Sequence, residues 1–161
     1  MRQARAFCVT AALALGFVLS PGQPARADDD ADVRAALAQF ITAFDNLDWP
    51  RFIALFEDGA TVCYPSPPNA SSCADGRAEF EPAWQRVFAG IRGRRTSPPY
   101  MDLKPERLRV RTIGDVAIVT FELHDLPEHT ARRTVVLHRQ ADRWRIAHLH
   151  ASNVPTRADG R

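Results

Sequence analysis

Two histidines near the carboxyl end of the chain are the residues best suited to chemistry. His148 and His150 stand two positions apart in the segment RWRIAHLHAS, and side chains two positions apart on a β-strand point to the same face. Imidazole changes charge near neutral pH and can donate, accept or transfer a proton. The pair therefore predicts ligand contact or proton transfer, with structural histidines held by hydrogen bonds to backbone or helix as the alternative.

An H-x-H pair can also bind a metal ion, and His124 or His138 could complete such a site. No carboxylate or thiolate at metal-like spacing accompanies the pair. We therefore predict no metal and no cofactor. If the protein is an enzyme, we expect a cofactor-independent isomerase, dehydratase, cyclase or hydrolase.

The amino terminus has the pattern of a secretory signal peptide. MRQAR is positively charged, an apolar run of 15 residues follows, and Ala25-Arg26-Ala27 matches an A-x-A cleavage site. The run is shorter than the roughly 20 apolar residues that span a bilayer. We predict that residues 1–27 are removed and that the mature protein starts at Asp28. It is then free of the membrane and exported to a bacterial periplasm or the extracellular space.

Export changes the interpretation of the cysteines. Cys63 and Cys73 enclose the Pro- and Ser-rich segment YPSPPNASS. An even pair of cysteines in an oxidising compartment favours a disulfide, with two unpaired thiols as the alternative. We predict the disulfide.

The charge of the chain also depends on the signal peptide. The full sequence of 161 residues has 21 basic and 19 acidic side chains, but residues 1–27 hold three arginines and no carboxylate. The remainder is nearly neutral and offers no clustered positive charge for a nucleic acid. With 45% hydrophobic and 25% charged residues, the full sequence has the composition of a globular protein. We place one domain at 28–154, with a short polar tail at 155–161.

Three helices followed by strands are expected to position the candidate residues. Apolar spacings of three and four residues predict the helices, and after Pro98-Pro99 the apolar period changes to two, which predicts antiparallel strands. Trp84 and Phe88 lie on the apolar stripe of the third helix, either in the core or stacked on a ligand. The expected helices are 32–46, 48–59 and 76–92, and the expected strands are 60–64, 106–113, 115–124, 132–140 and 143–151.

Several segments together resemble the nuclear transport factor 2-like superfamily. They are LFEDGATVCYP, the Gly-Arg before the third helix, GDVAIVTFEL and RWRIAHLHAS, and the resemblance covers about residues 32–154. Within the superfamily the chain is most similar to SnoaL-like domains and to the association domain of calcium/calmodulin-dependent kinase II. The resemblance implies an α+β fold, in which a curved antiparallel sheet wraps around the long amino-terminal helix and forms a cone with a pocket at its open end.

The resemblance also implies which residues contact a ligand. Tyr64 stands where ketosteroid isomerases carry a general-base Asp, and a phenol is a poor base at neutral pH. The pocket arginine of the kinase association domain is replaced by Val135, so that Arg132 or Arg133 would have to supply the charge. The predicted ligand-binding residues are Tyr64, Trp84, Phe88, Phe121, Leu123, Arg133, His148 and His150.

Two functions remain open from the sequence. In the first, the exported domain binds, and transforms if it is an enzyme, a small hydrophobic molecule in the cone, with His148 and His150 as candidate catalytic residues. In the second, it is a non-catalytic dimerisation or assembly module that uses the outer face of the sheet. The strand 115–124 is apolar on both faces, whereas a sheet with one wet face alternates more cleanly. A homodimer is therefore expected under either function.

Overall fold

The protein, seen in a computed structural model, is described at residues 27–66, 70–126 and 129–155. The predicted signal peptide and polar tail lie almost wholly outside these ranges and stay predictions. No helix in the described ranges combines the length and apolar character needed to cross a membrane. The elements are α1 (Ala27–Asp45), α2 (Trp49–Ala54), β1 (Phe56–Ser66), β2 (Ala70–Asp75), α3 (Arg77–Arg92), β3 (Glu106–Ile113), β4 (Val116–Leu126), β5 (His129–Gln140) and β6 (Arg143–Pro155).

The strands form one curved sheet in the order β2-β1-β6-β5-β4-β3. The predicted α+β class is confirmed, and so is the antiparallel run β3 to β6. The sheet as a whole is mixed rather than antiparallel, because β1 pairs with β6 in parallel. These two strands are separated along the chain by α3 and four further strands, and a connection of that length permits parallel pairing.

The second helix is shorter than predicted. Asp48 caps α2 and its carboxylate accepts a hydrogen bond from the Arg51 amide at 3.2 Å. The helix ends at Ala54, and Gly59, the expected end, lies within β1. The reason is tertiary, because Phe56 pairs with Ile146 of β6 and the segment extends the sheet instead of the helix.

The strands β1 and β2 pair antiparallel, and the sequence patterns did not predict β2. Cys63 and Cys73 lie directly opposite each other in the β1–β2 ladder and form a disulfide. The predicted pairing is confirmed. It joins the edge strand β2 to the body of the sheet.

The core lies between the concave face of the sheet and the helices. Val33, Leu37 and Phe40 form the buried stripe of α1, as their spacing predicts. Phe52 of α2 and Phe56 of β1 are fully buried, with ring centroids 5.1 Å apart. Aromatic rings thus make up part of this core, and the cavity described next lies beside them.

Candidate functional site

A cavity of about 230 Å³ lies between the concave face of the sheet, α1 and α3. We call it the cup. Its walls are mostly aromatic and aliphatic. Phe40, Ile41 and Phe44 line it from α1, and Ala83, Trp84 and Val87 line it from α3. Mostly apolar concavities of this kind with a few polar groups are the usual form of small-molecule sites.

Three side chains give the cup its polarity. Tyr64 enters from β1, Trp84 from α3 and Arg133 from β5. The indole N–H of Trp84 is buried and has no hydrogen-bond partner among the described residues. Nη1 of Arg133 donates to the carbonyl oxygens of Arg132 at 2.9 Å and Ser152 at 3.2 Å. These bonds hold the guanidinium against the wall between β5 and β6.

The structure brings most of the predicted ligand-binding residues together. Phe88 lies deeper instead, 4% exposed, with its ring centroid 5.5 Å from that of Phe44 and 5.0 Å from that of Phe52. It supports the wall from the core, which was one of the two interpretations of its helical spacing. The predicted residues that line the cup are Tyr64, Trp84, Phe121, Leu123 and Arg133.

His148 and His150 do not reach the cup. The expectation that they share a face with Trp144 and Ile146 is wrong, because a β-bulge separates the two pairs. Leu137 of β5 pairs with Ile146, but the preceding Val136 pairs with His148, which leaves Ala147 as an extra residue in β6. An extra residue reverses the alternation of side chains beyond it.

Leu149 and Ala151 consequently occupy the positions expected for the histidines and line the cup. His148 lies on the outer face of the sheet, where its Nδ1 is 2.7 Å from Oγ1 of Thr61. His150 is exposed. The two imidazoles therefore have the surroundings of structural and surface histidines.

Further polar side chains, among them His124 and His138 that were considered for a metal site, also lie outside the cup. Glu122 alternates with the inward-facing Phe121 and Leu123, and its carboxylate meets Arg107 at 3.0 Å, Arg132 at 3.6 Å and His124 at 3.6 Å. His138 contacts Glu57 at 2.9 Å. No group of three or more histidine, cysteine or acidic side chains within the described ranges could hold a metal ion.

One wall of the cup was not predicted from the sequence. Met101 and Leu103 lie in the segment between α3 and β3 and line the cavity. Asp45, the last residue of α1, holds this segment. Its carbonyl oxygen accepts from the amides of Tyr100 at 2.7 Å and Met101 at 3.1 Å, and its carboxylate accepts from the amide of Leu103 at 3.1 Å.

Burial raises the pKa of Asp45, and the nearby charge of Asp102 raises it further, while the hydrogen bond from Leu103 opposes the shift. A raised pKa in the folded state means that protonation of Asp45 stabilises the fold, and this contribution is lost as the pH rises through that pKa. The segment between α3 and β3 follows Pro98-Pro99 and has no apolar period. Neither its path nor its attachment to Asp45 could therefore be predicted from the sequence.

A second concavity is larger and different in character. It measures about 1170 Å³ and lies along α1 and the start of β6. Charged side chains of both signs line it, among them Asp32, Arg51, Asp142 and Arg143. The cup is smaller, but its apolar walls make it the better small-molecule site.

A family model described as a SnoaL-like domain matches residues 33–157 of this chain. The match covers the helices, the sheet and the cup. The chain belongs to the SnoaL-like domain family. The membership implied by the quoted segments is therefore confirmed.

Solved structures similar to this SnoaL-like domain show the same fold. A putative dehydratase from the nuclear transport factor 2-like family of Streptomyces avermitilis has a TM-score of 0.63 at 22% identity, over 78% of this chain and 96% of that chain. A nuclear transport factor 2-like protein of unknown function from Shewanella baltica has a TM-score of 0.60 at 14% identity, over 83% of this chain and 100% of that chain.

A third similar structure, a nuclear transport factor 2-like protein of unknown function from Pseudomonas putida, has a TM-score of 0.62 at 22% identity, over 76% of this chain and 84% of that chain. No curated protein matches the chain significantly. At these identities the likeness establishes the fold of the SnoaL-like domain, and its function has to be inferred from its own cup.

Proposed function

We propose that this SnoaL-like domain binds a small, largely apolar molecule in the cup. The observation that carries the proposal is the cavity of about 230 Å³ with aromatic and aliphatic walls. An apolar cavity of about 150 Å³ is large enough for benzene. The cup therefore has room for a molecule larger than a single ring, such as a fused pair of rings.

Binding is better supported than proton-transfer catalysis. General acid–base catalysis needs a group within hydrogen-bond reach that can accept a proton near neutral pH. Among the described residues of the lining, the polar side chains are Tyr64, Trp84 and Arg133, and none of these types is such a base. His148 and His150, the candidate catalytic residues, lie on the other side of the sheet.

Export is part of the proposal. The signal-peptide pattern of residues 1–27 and the disulfide between Cys63 and Cys73 both favour an oxidising compartment. The protein would then meet its ligand in the periplasm or outside the cell.

The proposal is tested by filling the cup. Ala151 is small and lines the cavity, so that Ala151→Trp should occupy the space of the ligand. We expect 1-naphthol to raise the melting temperature of the wild-type protein, because a ligand that binds only the folded state stabilises it. The variant should lose this shift.

Ala89→Trp is the matched control, because Ala89 is exposed on α3 and does not line the cup. It should keep the shift with 1-naphthol. Wild-type protein that shows no shift, or an Ala151→Trp variant that keeps it, would contradict binding in the cup.

A second function, self-association through the outer face of the sheet, is favoured by exposed apolar side chains. Ile113, Val116 and Ile118 are 55%, 38% and 36% exposed and lie close together, because Ile113 pairs with Val116 and Arg111 with Ile118. Val136 extends the patch onto β5. Clustered exposed apolar residues mark interaction sites, and we propose a homodimer through this face.

Light scattering at micromolar concentration tests the homodimer. We expect the wild-type protein to be dimeric and Ile118→Glu to shift it towards monomer, since the substitution would bury a charge in the interface. Val87→Glu places the same charge on an exposed apolar residue of α3 and should leave the dimer intact. A monomeric wild-type protein would overturn this function.

A further inference from the structure

We propose that two copies of the domain pack outer face to outer face about a two-fold axis that runs along the strands, so that Asp75 of each copy pairs with Arg111 of the other. The inference rests on the homodimer proposed above and adds its arrangement and the ion pairs that fix it. It follows from the charges at the two edges of the sheet and from the area that a stable dimer needs.

One row of side chains crosses the outer face, which is the face opposite to the cup, from edge to edge. The partners in the five ladders give its order as Asp75, Thr61, His148, Val136, Ile118 and Arg111. Within the row, Oγ1 of Thr61 lies 2.7 Å from Nδ1 of His148. The row therefore begins with an acidic residue on β2 and ends with a basic residue on β3.

Both charged ends of the row are exposed on the outer face. Ala74, the neighbour of Asp75, is buried, and Val110 and Thr112, the neighbours of Arg111, are half-buried. Alternation along a strand therefore directs the two charged side chains outward. Among the described residues, no salt bridge or side-chain hydrogen bond engages the carboxylate of Asp75 or the guanidinium of Arg111.

The two charged side chains cannot pair with each other inside one chain. Asp75 and Arg111 stand on the two edge strands of the six-stranded sheet, about 24 Å apart along the sheet. A partner for either side chain must therefore come from another molecule. A second copy supplies both partners at once, because a two-fold interface repeats every contact.

The area that a stable dimer needs favours complete overlap of the two outer faces. Specific interfaces bury roughly 800 Å² on each partner. The apolar patch of Ile113, Val116, Ile118 and Val136 spans two strand spacings, about 10 Å, and is too small alone. The full width of the sheet, over strands of six to 13 residues, comes close to the required area. Complete overlap places the two-fold axis over the middle of the sheet, between β6 and β5.

The charges distinguish between the two ways of overlapping the faces completely. If the two-fold axis runs across the strands, each strand lies against its own copy, and the Asp75 edges meet each other, as do the Arg111 edges. If the axis runs along the strands, β2 lies against β3 of the other copy, and Asp75 faces Arg111 twice. Like charges opposed across an interface are costly and opposite charges fix its register. The axis along the strands is therefore favoured.

The middle of the row suits the same arrangement. Val136 of one copy then lies against the His148 ring of the other. Ile118 lies against the methyl group of Thr61. Both contacts cover apolar side chains that are otherwise exposed to water. The curvature of the sheet widens the gap between the copies at the edges, and the long side chain of Arg111 can bridge it.

Exchanging the two charges tests the pairing, with the dimer dissociation constant measured by light scattering over a concentration series at low salt. Asp75→Arg and Arg111→Asp each place like charges opposite each other twice, and each should raise the dissociation constant about 10-fold or more. Asp75→Arg combined with Arg111→Asp should return it close to the wild-type value, because both pairs are restored with their charges exchanged. The distance between the two residues within one chain assigns this rescue to the contact between copies.

Two further variants serve as controls. Arg86→Asp makes the same charge change as Arg111→Asp on an exposed residue of α3, away from the outer face, and should leave the dissociation constant unchanged. Asp75→Asn removes the charge without reversing it and should weaken the dimer less than Asp75→Arg does. Recovery of the dimer in the double variant also shows that neither substitution damages the fold.

The outcomes separate this inference from the homodimer on which it rests. Single variants that dimerise as tightly as the wild-type protein, or a double variant that dimerises no better than the single ones, would overturn the pairing and leave the dimer. A wild-type protein that is monomeric throughout the concentration series would overturn both.

Discussion

Phe52→Ala should destabilise the domain by about 3–5 kcal/mol, which is the usual cost of deleting a buried phenyl ring. Phe52 is fully buried and stands at the centre of the aromatic cluster. Its ring centroid lies 5.0 Å from that of Phe88, 5.1 Å from those of Phe56 and Trp84, and 5.5 Å from that of Phe40. Rigid neighbours on several sides cannot all move inward, so that a cavity should remain.

Urea unfolding measures the loss, and Phe44→Ala is the matched control. Phe44 belongs to the same cluster, with its ring centroid 6.0 Å from that of Phe52, but it is only half-buried and lines the cup. Removal of the Phe44 ring opens the cup further without making a closed cavity. Phe44→Ala should therefore lower the free energy of unfolding by less than Phe52→Ala does. If Phe44→Ala proved as destabilising as Phe52→Ala, the central role of Phe52 would be contradicted.

This cluster also shows what the sequence could predict. The apolar spacings of three and four residues that predict the first two helices also predict their buried sides, and the structure buries Val33, Leu37 and Phe40 of α1 and Phe52 of α2. The predicted helix 48–59 included Phe56, however, and there the prediction was wrong. Phe56 pairs with Ile146, 90 positions along the chain, and no local pattern contains that contact.

The prediction that His148 and His150 face the cup was wrong because of one extra residue in β6. Alternation predicts faces correctly along β4, where Phe121 and Leu123 line the cup. It fails in β6 because of the bulge at Ala147. A bulge without glycine leaves no mark in composition, and every residue beyond it changes face. A functional role predicted for a strand residue from sequence alternation therefore holds only where no β-bulge interrupts the strand pairing.

That change of face alters the functional conclusion. With the histidines in the cup, proton transfer would be the leading enzymatic interpretation of the site. With Leu149 and Ala151 in their place, the lining of the cup is mostly apolar, and its few polar side chains are Tyr64, Trp84 and Arg133 among the described residues. The lining of the cup therefore favours the proposal of binding over that of proton transfer.

Replacing both cysteines with serine should destabilise the domain by about 3 kcal/mol. The bond joins Cys63 to Cys73, ten positions apart, and closing a loop of roughly that length removes conformational freedom from the unfolded chain. The loss should be concentrated in β2, which is an edge strand with β1 as its only neighbour in the described sheet. Tyr64 of the cup follows Cys63 directly.

Thermal unfolding with and without dithiothreitol tests this prediction. The reductant should lower the melting temperature of the wild-type protein towards that of the double variant and leave the melting temperature of the variant unchanged.

Mass spectrometry of unreduced protein recovered from the periplasm, treated with an alkylating agent, should show no modified Cys63 or Cys73 and a first residue at Asp28. Two alkylated thiols in that sample would contradict the bond in the exported protein, and a retained leader would contradict signal-peptide cleavage. An unchanged melting temperature in the double variant would show that β-sheet pairing alone holds β2.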